Sequence, residues 1–114
     1  MEYNSILKDV KSVLKQTGIP IETSIFSKKA PDEYLVITPI SELFEHYADN
    51  QPQHEIQEAR LSLFSKRNYM GRKNEVVGLL MVADFTLTGR RYVGFEQDTG
   101  FHHFSIDVAK SYEV

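Results

Sequence analysis

The chain has 114 residues and a mass of 13.1 kDa, with 41% hydrophobic and 25% charged residues. That suits one domain and leaves no room for two, and a domain of this size buries about two thirds of the surface its unfolded chain exposes. Without cysteine there are no disulfides, thiolate zinc sites or cysteine nucleophiles, and a net charge of −3 argues against a protein that wraps nucleic acid.

The first ten residues, MEYNSILKDV, lack a basic segment followed by an apolar one, so no signal peptide is expected. Tyr3, Ile6, Leu7, Val10, Val13 and Leu14 recur at helical spacing and predict an amphipathic helix. Gly18 suits the residue just past its end, and Pro20 prevents continuation. A short strand is expected over Ile21–Phe26, then a loop over Ser27–Asp32. Tyr34–Thr38 (YLVIT) has strand composition, and Pro39 marks an edge or a bulge. Ser41–Ala48 is compatible with a helical face but reads better as the same strand continued, because a matching strand, Glu55–Phe64, follows. In that partner Ala59, Leu61 and Leu63 share one face.

Asp49–Pro52 (DNQP) is the expected loop between these strands. The hairpin then has an apolar base (Leu35, Ile37, Leu61, Leu63) and a polar tip that a small domain cannot bury. Residues 41–58 are therefore read as an arm projecting from the single domain 1–114. His46 and His54 are expected to face each other near its tip. A two-stranded ribbon is only marginally stable alone, so His46, Tyr47, Asp49, Asn50, Gln51, Pro52 and His54 are candidate partner contacts.

After a basic connection, Ser65–Lys73, a second helix is expected to reach about Phe85, with Asn68 as its N-cap. Val76, Val77, Leu80, Ala83 and Asp84 form one stripe. Leu79, Met81 and Val82 widen it until the helix is apolar nearly all round, which makes those three residues candidates for a subunit interface. Phe85–Thr88 and Arg91–Glu96 read as strands around a tight turn at Gly89–Arg90. Gln97–Gly100 is a second turn, Phe101–Val108 is a strand, and Ala109–Val114 is expected to fray. The architecture expected is α+β, in the order α-β-β-β-α-β-β. Its mixed, mainly antiparallel sheet carries both helices on one face.

Chemical motifs are scarce. His102 and His103 are adjacent on a strand and point to opposite faces, so they cannot hold one ion together; His102 is expected to bond the Gln97–Gly100 turn. No GxSxG, GxGxxG, GxxxxGK or HExxH pattern occurs, so neither enzyme activity nor a cofactor or metal is expected. Lys66, Arg67, Arg72 and Lys73, with Arg90, Arg91, Tyr69 and Tyr92, could track a single nucleic-acid strand. Alternatively they meet an acidic patch on another subunit.

Three blocks, Ala30–Pro39 (APDEYLVITP), Tyr47–Phe64 (YADNQPQHEIQEARLSLF) and Phe95–Val108 (FEQDTGFHHFSIDV), resemble small proteins of the head–tail gene cluster of long-tailed phages and prophages. The pattern is similar to the tail-completion, or head–tail joining, family. The resemblance implies a structural protein made in the host bacterial cytoplasm and placed in the virion tail. It implies a ring, commonly hexameric, at the head-proximal end of the tail, between the tail-tube protein and the head connector or stopper. Lys66–Lys73 would then meet acidic neighbours or line a lumen through which DNA passes. No membrane is involved. A neighbouring minor capsid or connector component of the same cluster, or a small phage nucleic-acid-binding or regulatory protein, is the alternative.

Overall fold

The computed structural model describes residues 4–23, 30–48 and 51–114, with residues 45–48 and 52 described by their backbone alone. The first helix, α1, spans Ile6–Leu14 and is capped by Ser5, whose hydroxyl accepts from the Lys8 N–H at 3.2 Å. Ile6, Val10 and Leu14 are buried, as the spacing predicts. A turn of 3₁₀ helix, Lys15–Thr17, tightens the end, and Gly18 takes the left-handed conformation (φ 76°) that glycine adopts without a Cβ clash.

Strand β1 is Ile21–Thr23, β2 is Glu33–Ala48 and β3 is Gln51–Ser65. Helix α2 is Tyr69–Val82, β4 is Thr86–Glu96 and β5 is Phe101–Glu113. The element order is the expected one, and the strands form a five-stranded sheet in the order β1-β2-β3-β5-β4. Only β1 and β2 are parallel. Residues 24–26 of the expected first strand lie outside the described residues, as do Tyr3, Asp49 and Asn50.

Both helices cover one sheet face. Ile6, Val10 and Leu14 of α1 and Val76, Val77 and Leu80 of α2 share a buried cluster with Leu35, Ile37, Ala59, Leu61, Leu63, Ile106 and Val108. Pro39 has no N–H for the ladder, and the β2–β3 register shifts there, from Pro39↔Ala59 to Ser41↔Glu58. One extra residue exchanges the faces of everything beyond it. Leu35 and Ile37 face the helices before the bulge; Glu42, opposite Gln57, takes that side after it.

Three expectations are corrected. Gly89–Arg90 is not a tight turn: β4 runs straight through it along β5, absorbing the irregularity as register shifts between Leu87 and Gly89 and between Tyr92 and Gly94. A hairpin there would have paired the two halves of β4 with each other, whereas β5 offers a continuous partner. The tail does not fray after Val108, because β5 continues to Glu113 beside β3 as far as His54↔Glu113. Gln51 and Pro52 belong to β3, with Ala48↔Gln51 paired, and not to the loop. The resulting body measures 55 × 24 × 24 Å.

Candidate interaction surfaces

The arm is built by β2 and β3 beyond the bulge. Leu43 lies opposite Ile56, Phe44 opposite Glu55, and Glu45 opposite His54. The expected His46–His54 pairing is therefore corrected: the ladder sets His54 against Glu45. Because β5 runs alongside, the arm is three-stranded up to His54, and the Val114 N–H reaches the Gln53 carbonyl at 3.1 Å. The third strand supplies the ladder bonds that an isolated ribbon lacks. Ile40, Leu43 and Phe44 are exposed on it, the last two at 56% and 55%. Residues 41–58 hold five carboxylates (Glu42, Glu45, Asp49, Glu55, Glu58) and no lysine or arginine. Of the candidate arm contacts, His46, Tyr47 and Pro52 are placed by backbone only, and Asp49 and Asn50 lie outside the described residues.

The root of the arm is tied to α1 by Gln57, which is 3% exposed. Its side-chain oxygen accepts from the Ile6 N–H at 2.8 Å. Its amide donates to the Asn4 carbonyl at 2.9 Å and to Glu55 Oε1 at 3.0 Å. The first N–H groups of a helix have no partner within it, and Gln57 supplies one from the sheet. Further along, Tyr112 donates to Asp9 Oδ2 at 2.6 Å, and Lys110 sits 3.8 Å from the same oxygen. Burial first, then the Asp9 bond and the charges of Asp9 and Glu55, push the Tyr112 phenol well above its ordinary pKa.

Helix α2 is not apolar all round. Val76, Val77 and Leu80 are buried, and Leu79 packs partly against the core. Met81 and Val82 are 61% and 85% exposed, on a side that also shows Met70, Asn74 and Gly78. Of the three residues proposed for a helix interface, two are therefore open to a partner and one is largely inside.

Three residues of the expected basic patch, Lys66, Arg67 and Arg72, are paired within the chain. Lys66 and Arg67 lie 3.8 and 3.6 Å from the Asp32 carboxylate. Arg72 bonds Glu33 at 3.2 Å, Glu75 at 3.3 Å and the Thr17 carbonyl at 3.5 Å. Glu33 also accepts from the buried Ser65 hydroxyl at 3.0 Å. These contacts pin α2 to the start of β2 and neutralise much of the expected patch. Lys73 stands over the Phe104 ring, 5.4 Å from its centroid, with no ion pair among the described residues. Arg90 and Arg91 are exposed on β4.

Two ring clusters occupy opposite sheet faces, and neither was legible before the register was known. On the helix face Tyr69 lies 5.2 Å from Tyr92, 4.9 Å from His102 and 6.4 Å from Phe104. His102 Nδ1 is 2.9 Å from the Tyr92 hydroxyl, so its partner is Tyr92 and not the Gln97–Gly100 turn. On the bare face Tyr34, Phe64 and His103 stack at 4.8 and 4.3 Å. Adjacent His102 and His103 do part to opposite faces, as their spacing required. Among the described residues His103 Nε2 is buried without a hydrogen-bond partner. Burial lowers the His103 pKa, Glu96 opposes that effect, and Arg91 and Arg60 add to it. Beside this stack the Arg60 guanidinium grips Asp107 through two bonds of 2.8 and 3.0 Å.

Among the described residues no group of three or more His, Asp or Glu side chains is placed to hold a metal. No helix of the described residues is long and apolar enough to cross a membrane. The surfaces offer charge, ring faces and exposed apolar side chains, which are means of holding a macromolecular partner. Compared with protein-family models and with curated proteins, the chain matches none.

Proposed function

We propose that this chain is a tail-completion, or head–tail joining, protein of a long-tailed phage or prophage. In this reading it is a structural component of the virion tail that forms a ring, hexameric as the resemblance implies, at the head-proximal end. The observation that carries the reading is the arm. A three-stranded extension whose residues 41–58 carry five carboxylates and no lysine or arginine, with Leu43 and Phe44 exposed, suits a neighbouring subunit. Exposed Met81 and Val82 on α2, and Tyr92, Val93 and Phe95 on β4, supply further apolar contacts for the tail-tube protein and the head connector. Lys73, Arg90 and Arg91 are the charges left to meet DNA in transit.

Sedimentation and electron microscopy of the purified chain, alone and with tail-tube protein, test the reading. Rings are expected. A chain that stays monomeric in both conditions overturns it. A second reading, a small nucleic-acid-binding protein, is favoured by one observation: the Tyr69–Tyr92–His102 ring cluster beside Lys73. Micromolar binding to single-stranded DNA that weakens steeply with salt, without ring formation, would select it instead.

A further inference from the structure

Helix α1 turns two differently charged sides outward. Asp9, its one acidic residue, faces the β5 tail, where Lys110 and Tyr112 hold it. Lys8, Lys11 and Lys15 follow at helical spacing on another side, all exposed and without an ion pair among the described residues. They rim an open concavity of about 540 Å³ whose apolar wall comes from Ile19 and Ile21, where the chain leaves the helix and enters β1. An apolar groove edged by three unpaired ammonium groups is complementary to an acidic segment that carries exposed apolar side chains.

The same chain possesses such a segment. Of its 16 acidic residues five fall within 41–58, where there is no lysine or arginine, so the rest of the molecule carries 13 lysines and arginines against 11 acidic residues. Leu43 and Phe44 of the same segment stand exposed. The outer arm and the apolar wall of the groove cannot meet within one molecule. Strand β1 pairs with Leu35–Ile37, and Leu43 and Phe44 lie at least six residues further along β2, a separation of about 20 Å that grows toward the tip, while at the arm's root Glu42 shares a hollow with Ser5, Ile6 and Leu7 at the opposite end of α1.

We propose that the acidic arm of one copy seats in the lysine-rimmed groove beside α1 of the next copy. The contact is heterologous: arm and groove are different surfaces, so each subunit gives one and receives one. Repetition of such a contact generates a closed ring when the rotation closes, and an open filament when it does not. The inference rests on the ring reading above and names the surface through which neighbours join. Charge complementarity sets the register, and the apolar side chains on both sides supply the buried area.

A charge-swap experiment tests it. One variant reverses the groove (Lys8→Glu, Lys11→Glu, Lys15→Glu), and the other reverses the arm (Glu42→Lys, Glu45→Lys); Glu55 is spared because it bonds Gln57. Circular dichroism melts establish that both fold. Each variant alone should self-associate at least tenfold more weakly than the wild type in sedimentation velocity. An equimolar mixture should regain assembly, with the two variants alternating, because each reversed groove then meets a reversed arm and each unreversed groove an unreversed arm. Wild-type-like assembly by either folded variant alone overturns the proposal and leaves the ring reading intact. Failure of the mixture to recover, with both variants folded, also overturns it. A wild-type chain that is monomeric with and without tail-tube protein overturns the ring reading itself.

Discussion

Replacing Gln57 by methionine isolates the bond that joins the arm's root to α1. Methionine nearly matches glutamine in length and volume, so no cavity opens, but the acceptor for the Ile6 N–H and the donor to the Asn4 carbonyl are both lost. Asn4 is exposed and water can replace its bond. Ile6 is buried, at 3% exposure, and its N–H is a helix-terminal donor with no partner inside the helix. Leaving such a group unsatisfied costs about 1–3 kcal/mol. The expected loss is therefore about 2 kcal/mol, or roughly 10 °C in Tm for a domain near 100 residues. Urea unfolding followed by circular dichroism reads it as a lower midpoint at unchanged slope. Gln57→Glu sharpens the test. It retains the acceptor but sets a second carboxylate beside Glu55, which now lies 3.0 Å from the Gln57 amide. Burial and the like charge raise that carboxyl's pKa in the folded state above its unfolded value. The variant's stability is then greatest at acid pH and is lost as pH rises through the folded pKa. A Gln57→Met protein within about 0.5 kcal/mol of wild type at equal slope would refute the claim that this side chain anchors α1 to the sheet.

Gly78 lies mid-helix in α2 with open space where a Cβ would stand, so Gly78→Ala should stabilise the isolated chain by about 0.5–1 kcal/mol. Asp84 holds a left-handed φ of 66° just past the end of α2, and Asp84→Gly should add up to about 1 kcal/mol; thermal melts check both. Tyr112→Phe removes the donor that faces Asp9 and should cost about 1.5 kcal/mol by urea unfolding. His103 titrates below its ordinary pKa in the folded state, so the unfolded chain binds a proton first as pH falls. Its contribution is present above about pH 6.5 and is lost below it. His103→Phe, which preserves the stack on Phe64, should flatten the change in urea midpoint between about pH 7.5 and 5.5 relative to wild type. An unchanged pH dependence would remove His103 from the account.

Much of the fold was legible because its causes are local. The spacing of Ile6, Val10 and Leu14, the glycine at position 18, the Asn68 cap and the missing N–H of Pro39 each act within a few residues. They set the helices, the long hairpin and the bulge without reference to distant chain. The candidate site was legible in part. The acidic, apolar-studded arm is a property of composition, and so is the amphipathic α1 with its three lysines.

Tertiary structure decided what depends on which strand lies next to which. Gly89–Arg90 has turn chemistry, yet an uninterrupted β5 beside it made an extended edge strand the better solution. The basic connection reads as a free patch in one dimension, while folding brings Asp32, Glu33 and Glu75 against Lys66, Arg67 and Arg72. Burial of Gln57, the parting of His102 and His103 into two ring clusters, and the opposition of the lysine groove and the acidic arm follow from register and chain crossing. Patterning of period 2 or 3.6 says which face a residue shares with its near neighbours; it holds no information on the partner across the ladder, and these surfaces are made of those partners.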